Sequence, residues 1–138
     1  MIRSIFPEYA NTSGPYVSQR RINKAKPFVI AILKKHETDI YRAFAALGKR
    51  RKREPHNIHL DIGKAIEKVE NAQVSPESDW AHGESDECTI WVAKNKLNDS
   101  MLIGTLLHES LHYCTTIDGK DICTKDEHLV MKWLGEDI

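Results

Sequence analysis

The sequence predicts an α+β domain: a small mixed or antiparallel sheet, an amphipathic N-terminal helix, a histidine-bearing central helix and a C-terminal helix. Three observations lead there. Segments 57–62 and 88–94 have strand character. Segments 25–47 and 125–134 carry apolar residues at helical spacing. Between them, Asn98-Asp99-Ser100 opens an apolar-periodic run that contains H-E-x-x-H, His108-Glu109-Ser110-Leu111-His112. With 138 residues, 41% hydrophobic and 29% charged, the chain suits one domain with a real core.

Residues 1–24 read as an irregular N-terminal segment. Asn11-Thr12-Ser13-Gly14-Pro15 is loop chemistry, Ile2, Ile5 and Phe6 are expected to pack on the body, and Tyr9 and Tyr16 have no assignable role. Residues 25–48 read as a helix with Phe28, Ala31, Ile32, Lys35, Ile40, Ala43, Phe44 and Leu47 recurring at three-to-four spacing. Pro27 suits its first turn and Gly48 its end. Glu37-Thr38-Asp39 is the place where it would divide in two, and His36 is expected in solvent. Residues 49–56 form a basic loop. Its five cations, Lys49, Arg50, Arg51, Lys52 and Arg53, allow three readings: a solvated loop, a nucleic-acid contact or a nuclear import signal. Aromatic residues are not interleaved, so a stacking platform for single strands is not indicated.

Residues 57–138 form the expected core. In 57–62, Ile58, Leu60 and Ile62 alternate onto one strand face. Residues 63–72 read as a short helix, with Ala65, Ile66 and Val69 on one side, or as an irregular excursion. Residues 74–87 have loop composition and contain Trp80, expected to pack or to line a pocket, and His82. The strand Cys88–Lys94 turns through 95–99 into the H-E-x-x-H helix. Residues 115–124 turn around Asp118-Gly119-Lys120, and the last helix ends at Gly135. Three cysteines, Cys88, Cys114 and Cys123, form no C-x-x-C pair and read as reduced, partly buried thiols; Cys114 and Cys123 flank a turn and are placed to pair under oxidation.

The chemistry lies in His108-Glu109-Ser110-Leu111-His112. Two histidines four residues apart on a helix leave the same face, which suits a shared tetrahedral cation. Glu109, beside them, is placed to take a proton from an activated water. Leu102, Ile103, Leu106, Leu107 and Leu111 supply the wall behind. A catalytic zinc takes a third protein ligand. Helical phase favours Glu127, which shares the apolar stripe of Val130, Met131 and Leu134; His128 is the alternative and Asp126 a weaker one. Tyr113 and His82 are candidate oxyanion donors. The expected activity is peptide-bond hydrolysis with one Zn2+ per chain and Glu109 as general base. A non-catalytic zinc-binding protein that docks a partner or nucleic acid is the alternative.

Net charge is zero, so global charge points to neither nucleic acid nor membrane. No apolar run approaches a membrane span, and the first residues lack the apolar core of a secretion signal. The expected location is intracellular: cytoplasmic, nuclear or virion-associated.

From Cys88 to Leu134 the chain resembles small single-domain zincin-like metallopeptidases of phages and large DNA viruses. Thr105-Leu106-Leu107-His108-Glu109-Ser110-Leu111-His112 and Asp126-Glu127-His128-Leu129-Val130 carry the likeness. It implies a minimal gluzincin-type fold with His108, His112 and Glu127 as zinc ligands and Glu109 as base. It also implies an edge strand along the cleft, directly before the active-site helix, to which an extended substrate adds. A second resemblance is to SprT-like and Spartan-like proteases, DNA-associated enzymes in which a third histidine follows H-E-x-x-H. His128 would take that place, with Leu129 where that family typically has Gly, and the run 49–53 would suit DNA.

Overall fold

The computed structural model describes residues 15–50, 57–75 and 83–122. Helix α1 (Gln19–Arg50) comes first. It begins before residue 25 because Ser18 Oγ accepts the Arg21 N–H at 3.3 Å, the usual way a first-turn amide is satisfied. Arg21 then secures the entry. Its guanidinium donates to the carbonyls of Pro15 and Leu97 at 2.7 Å each and pairs with Asp99 at 3.0 Å. Residues 19–24 are therefore helical rather than irregular. Pro27 lies in the helix interior, not its first turn, and Gly48, Lys49 and Arg50 continue the helix where a terminator and a loop were expected.

The reason is burial. Ile22, Ala25, Val29, Leu33, Ile40 and Phe44 form one buried stripe, and that stripe needs a continuous helix across Pro27. It also corrects the expected face: Phe28 points outward and is 63% exposed. The backbone at His36 departs from helical geometry (φ −112°, ψ 19°), so α1 kinks one residue before the anticipated break. His36 is not solvated. Its side chain is 13% exposed and Nδ1 lies 3.1 Å from Asp39 Oδ2.

Two small sheets follow. Strand β1 (Ile58–Leu60) pairs antiparallel with β5 (Thr115–Ile117), which pairs antiparallel with β6 (Lys120–Asp121). The β5–β6 turn has Asp118 and Gly119 both at positive φ (52° and 80°), as a two-residue hairpin loop requires. Asp61 leaves β1 to cap α2 (Ile62–Glu70), its carboxylate accepting the Lys64 N–H at 3.0 Å. Residue 62 thus opens a helix instead of closing a strand, and 63–72 takes the first of its two readings.

In the second sheet β4 (Ile90–Val92) lies between β2 (Gln73–Val74), to which it is parallel, and β3 (Gly83–Ser85), to which it is antiparallel. Segment 74–87 therefore contributes to two strands where loop was expected. Chain from β4 passes to α3 (Asp99–Leu111), whose first turn is capped as the sequence predicts: Asn98 Oδ1 accepts the Met101 N–H at 2.8 Å. Helices α1, α2 and α3 pack on one another, and α3 also contacts β3 and β4. The result is an α+β fold with α3 at its centre. Its Leu102, Leu106, Leu107 and Leu111 are fully buried, and Ile103 is partly buried.

Candidate metal centre

His108 stands in the last turn of α3; His112 does not share that helix. It is the C-cap, with extended backbone (φ −61°, ψ 137°), and Tyr113 after it is left-handed (φ 64°). The expectation of two imidazoles on one regular helix is corrected to that extent. They still converge. His108 Nε2 and His112 Nε2 are 3.3 Å apart with rings inclined at 66°. Two nitrogens at zinc bond length in a tetrahedral arrangement stand about 3.3–3.4 Å apart. The separation of the histidine pair is compatible with such an ion.

Two groups build the turn. Asp121, on β6, takes the Nδ1 side of His112: Oδ2 lies 3.1 Å from that nitrogen, and Oδ1 accepts the Tyr113 N–H at 2.7 Å. A proton held on Nδ1 by this carboxylate leaves the Nε2 lone pair facing His108. Lys68, on α2, is 1% exposed. Its ammonium donates to the Glu109 carbonyl at 3.0 Å and the His112 carbonyl at 2.6 Å. It also lies 5.6 Å from the centre of the Tyr113 ring. A cation here satisfies carbonyls that the end of α3 leaves without helical partners. Burial lowers the Lys68 pKa, while nearby Cys114, Glu109 and Asp121 act against that shift.

Glu109 completes the group. Its carboxylate and the two imidazoles offer ligand atoms within 4.8 Å of one another, and Oε1 is 3.8 Å from His108 Nε2. Burial pushes its pKa up to about 7; Lys68 pulls the other way, and the negative charges of Glu84 and Asp121 add to the rise. Gly83 is set against this residue. A Cβ there would lie 2.9 Å from Thr105 Cγ2, 3.1 Å from the Trp91 carbonyl and 3.3 Å from Glu109 Cγ. Only a glycine lets β3 run this close to α3.

Of the candidates read from sequence, His108, Glu109 and His112 come together, and Tyr113 sits beside them with its ring over Lys68. Glu127, His128, Asp126, Trp80, His82, Cys123 and Arg51, Lys52 and Arg53 lie outside the described residues, and so does the C-terminal helix. The strand before α3 is not an edge. Strand β4 is central, and β3 is the edge nearest Glu109. Cys88 is an exposed thiol and Cys114 a buried one.

Lys68 and Asp121 were missed. Signals for both exist: Lys68 falls three residues from Ala65 and six from Ile62, on the buried stripe of α2, and Asp118-Gly119 is a hairpin turn that returns the chain to the second histidine. No family model, curated protein or solved structure matches the chain.

Proposed function

We propose that the chain is a zinc-dependent metallopeptidase of minimal zincin-like architecture. The observation that supports this reading is the 3.3 Å separation of the two Nε2 atoms with the Glu109 carboxylate beside them. His108 and His112 are the two ligands, and Glu127 or, alternatively, His128 supplies the third. When bound, zinc supplies a Lewis acid that activates a water and polarises a carbonyl.

The chain's own groups do the rest. Glu109 takes a proton from the attacking water at its carboxylate and delivers it to the leaving amine. Asp121 and Lys68 hold the turn that orients His112.

Metal content of the purified protein and turnover of a quenched-fluorescence peptide library test this together. The expected result is one zinc per chain, lost on His108→Ala or His112→Ala. Glu109→Gln should retain zinc and lose at least about a hundredfold in kcat. Zinc without any peptide cleavage would make the chain a metal-stabilised binding protein; no zinc at all would end the metal reading.

A further inference from the structure

Helix α1 concentrates charge that the chain as a whole balances. Nine of the chain's twenty lysines and arginines, and only two of its twenty acids, fall within Gln19–Arg50. That helix therefore carries a net seven positive charges and the remainder an equal negative charge.

The charge is one-sided. While the apolar stripe faces the core, Arg20, Lys24, Lys34, Lys35 and Arg42 are exposed. Positions 20 and 24 are one turn apart, 24 and 35 three turns, and 35 and 42 two turns, so each step returns to the same side. Position 49, the first of the five-cation run, is a further two turns on. None of these five side chains makes a hydrogen bond or ion pair with the described residues. Two further cations of the helix are engaged: Arg21 with Asp99, and Lys26 with the Glu70 carbonyl at 2.8 Å.

We infer that this face of α1 docks a nucleic-acid duplex through its phosphates, without reading bases. Charge complementarity and length carry the choice. The 32 residues of α1 have a contour of about 48 Å across the kink at His36, the order of one duplex turn of about 34–36 Å. Cations at unequal intervals suit a partner whose charge repeats along its whole length better than one with a defined acidic motif. An anionic membrane would need a continuous apolar flank to enter the lipid, whereas the apolar stripe of α1 is buried in the core and, among its described side chains, Phe28 and Tyr41 are the large apolar ones exposed. The exposed aromatics of α1, Phe28 and Tyr41, stand thirteen residues apart, too sparse for a platform on which the successive bases of a single strand stack. The inference is independent of the metal centre.

Fluorescence anisotropy with the full chain and labelled mixed-sequence duplexes, one DNA and one RNA, tests it. Expected is sequence-independent binding that weakens steeply with salt. Lys34→Glu/Lys35→Glu/Arg42→Glu should weaken it at least about thirtyfold and flatten the log–log salt slope by about three. Circular dichroism and zinc content should not change, which separates loss of docking from failure of the fold or of the metal reading. Comparison of the two duplexes identifies which nucleic acid is preferred. Three results would overturn the inference: no duplex binding at low salt, tighter binding of anionic vesicles or polyglutamate than of either duplex, or loss of binding only when Arg51, Lys52 and Arg53 are neutralised.

Discussion

His112 depends on its neighbours more than His108 does, because it lies past the end of regular helix. Its orientation comes from Asp121 at one ring nitrogen and from Lys68 at its carbonyl. Asp121→Asn keeps the size of the group but not its charge; it is expected to weaken zinc affinity about 10–100-fold with little change in secondary structure, measured by competition with a chromophoric chelator. Lys68→Met leaves two carbonyls without their donor and should lower zinc affinity about tenfold or more. In a His112→Ala background the same substitution should have almost no effect on residual metal binding. An undiminished effect there would show that Lys68 supports only the fold. The proton of the Glu109 carboxyl links the site to stability.

Strands and helices place these residues by close packing. Strand β3 reaches α3 because residue 83 has no side chain. In Gly83→Ala the new methyl would meet Thr105 and the Glu109 stem, so the strand must move away or the side chains must give. Overpacking of this kind costs about 1–3 kcal/mol, and here it also presses on the Glu109 side chain. The expected outcome is a lower melting temperature together with a fall in kcat, while zinc content is retained. Helix α1 shows how burial overrides local signals. Pro27 removes one helical hydrogen bond, an interior cost of about 3 kcal/mol. Yet Ile22 and Ala25 before it and Val29 and Leu33 after it are all buried, and burying large apolar side chains returns about 1.5–3 kcal/mol each. The same sum explains why the helix starts at Gln19 and why Phe28, off that stripe, is left in solvent.

For the whole molecule the consequence is a coupling of metal, pH and stability. The Glu109 carboxyl rises from 4.5 to about 7 on folding. Between those values the folded chain holds a proton that the unfolded chain has released. Stability of the metal-free protein therefore falls as pH rises through roughly 4.5 to 7, by up to about 3 kcal/mol from this one group. Urea titrations of metal-free protein at pH 5 and pH 8 should show that loss, and Glu109→Gln should remove most of it. Zinc, bound by the folded state alone, should raise the midpoint most at the higher pH, because the neighbouring cation stabilises the ionised carboxylate. Equal stability of the metal-free protein at both pH values would contradict the buried setting of Glu109. Among the described residues no helix is long and apolar enough to cross a membrane.

Local chemistry was enough for much of this. The α+β class, the Asn98 cap, the apolar wall of α3 and the trio His108, Glu109 and His112 all rest on spacings of a few residues, which the helix and strand periods express directly. What joins distant parts of the chain was decided only by tertiary packing. Lys68 meets the His112 carbonyl across 44 residues, and Gly83 meets Glu109 across 26, because α2 and β3 bury their faces against α3. Strand order was equally hidden, since β4 became central only when β2 and β3 closed on either side of it. A period in the sequence says which side of an element is apolar. Which neighbour covers that side, and so which charge or glycine arrives at the histidines, follows from the burial of all elements at once.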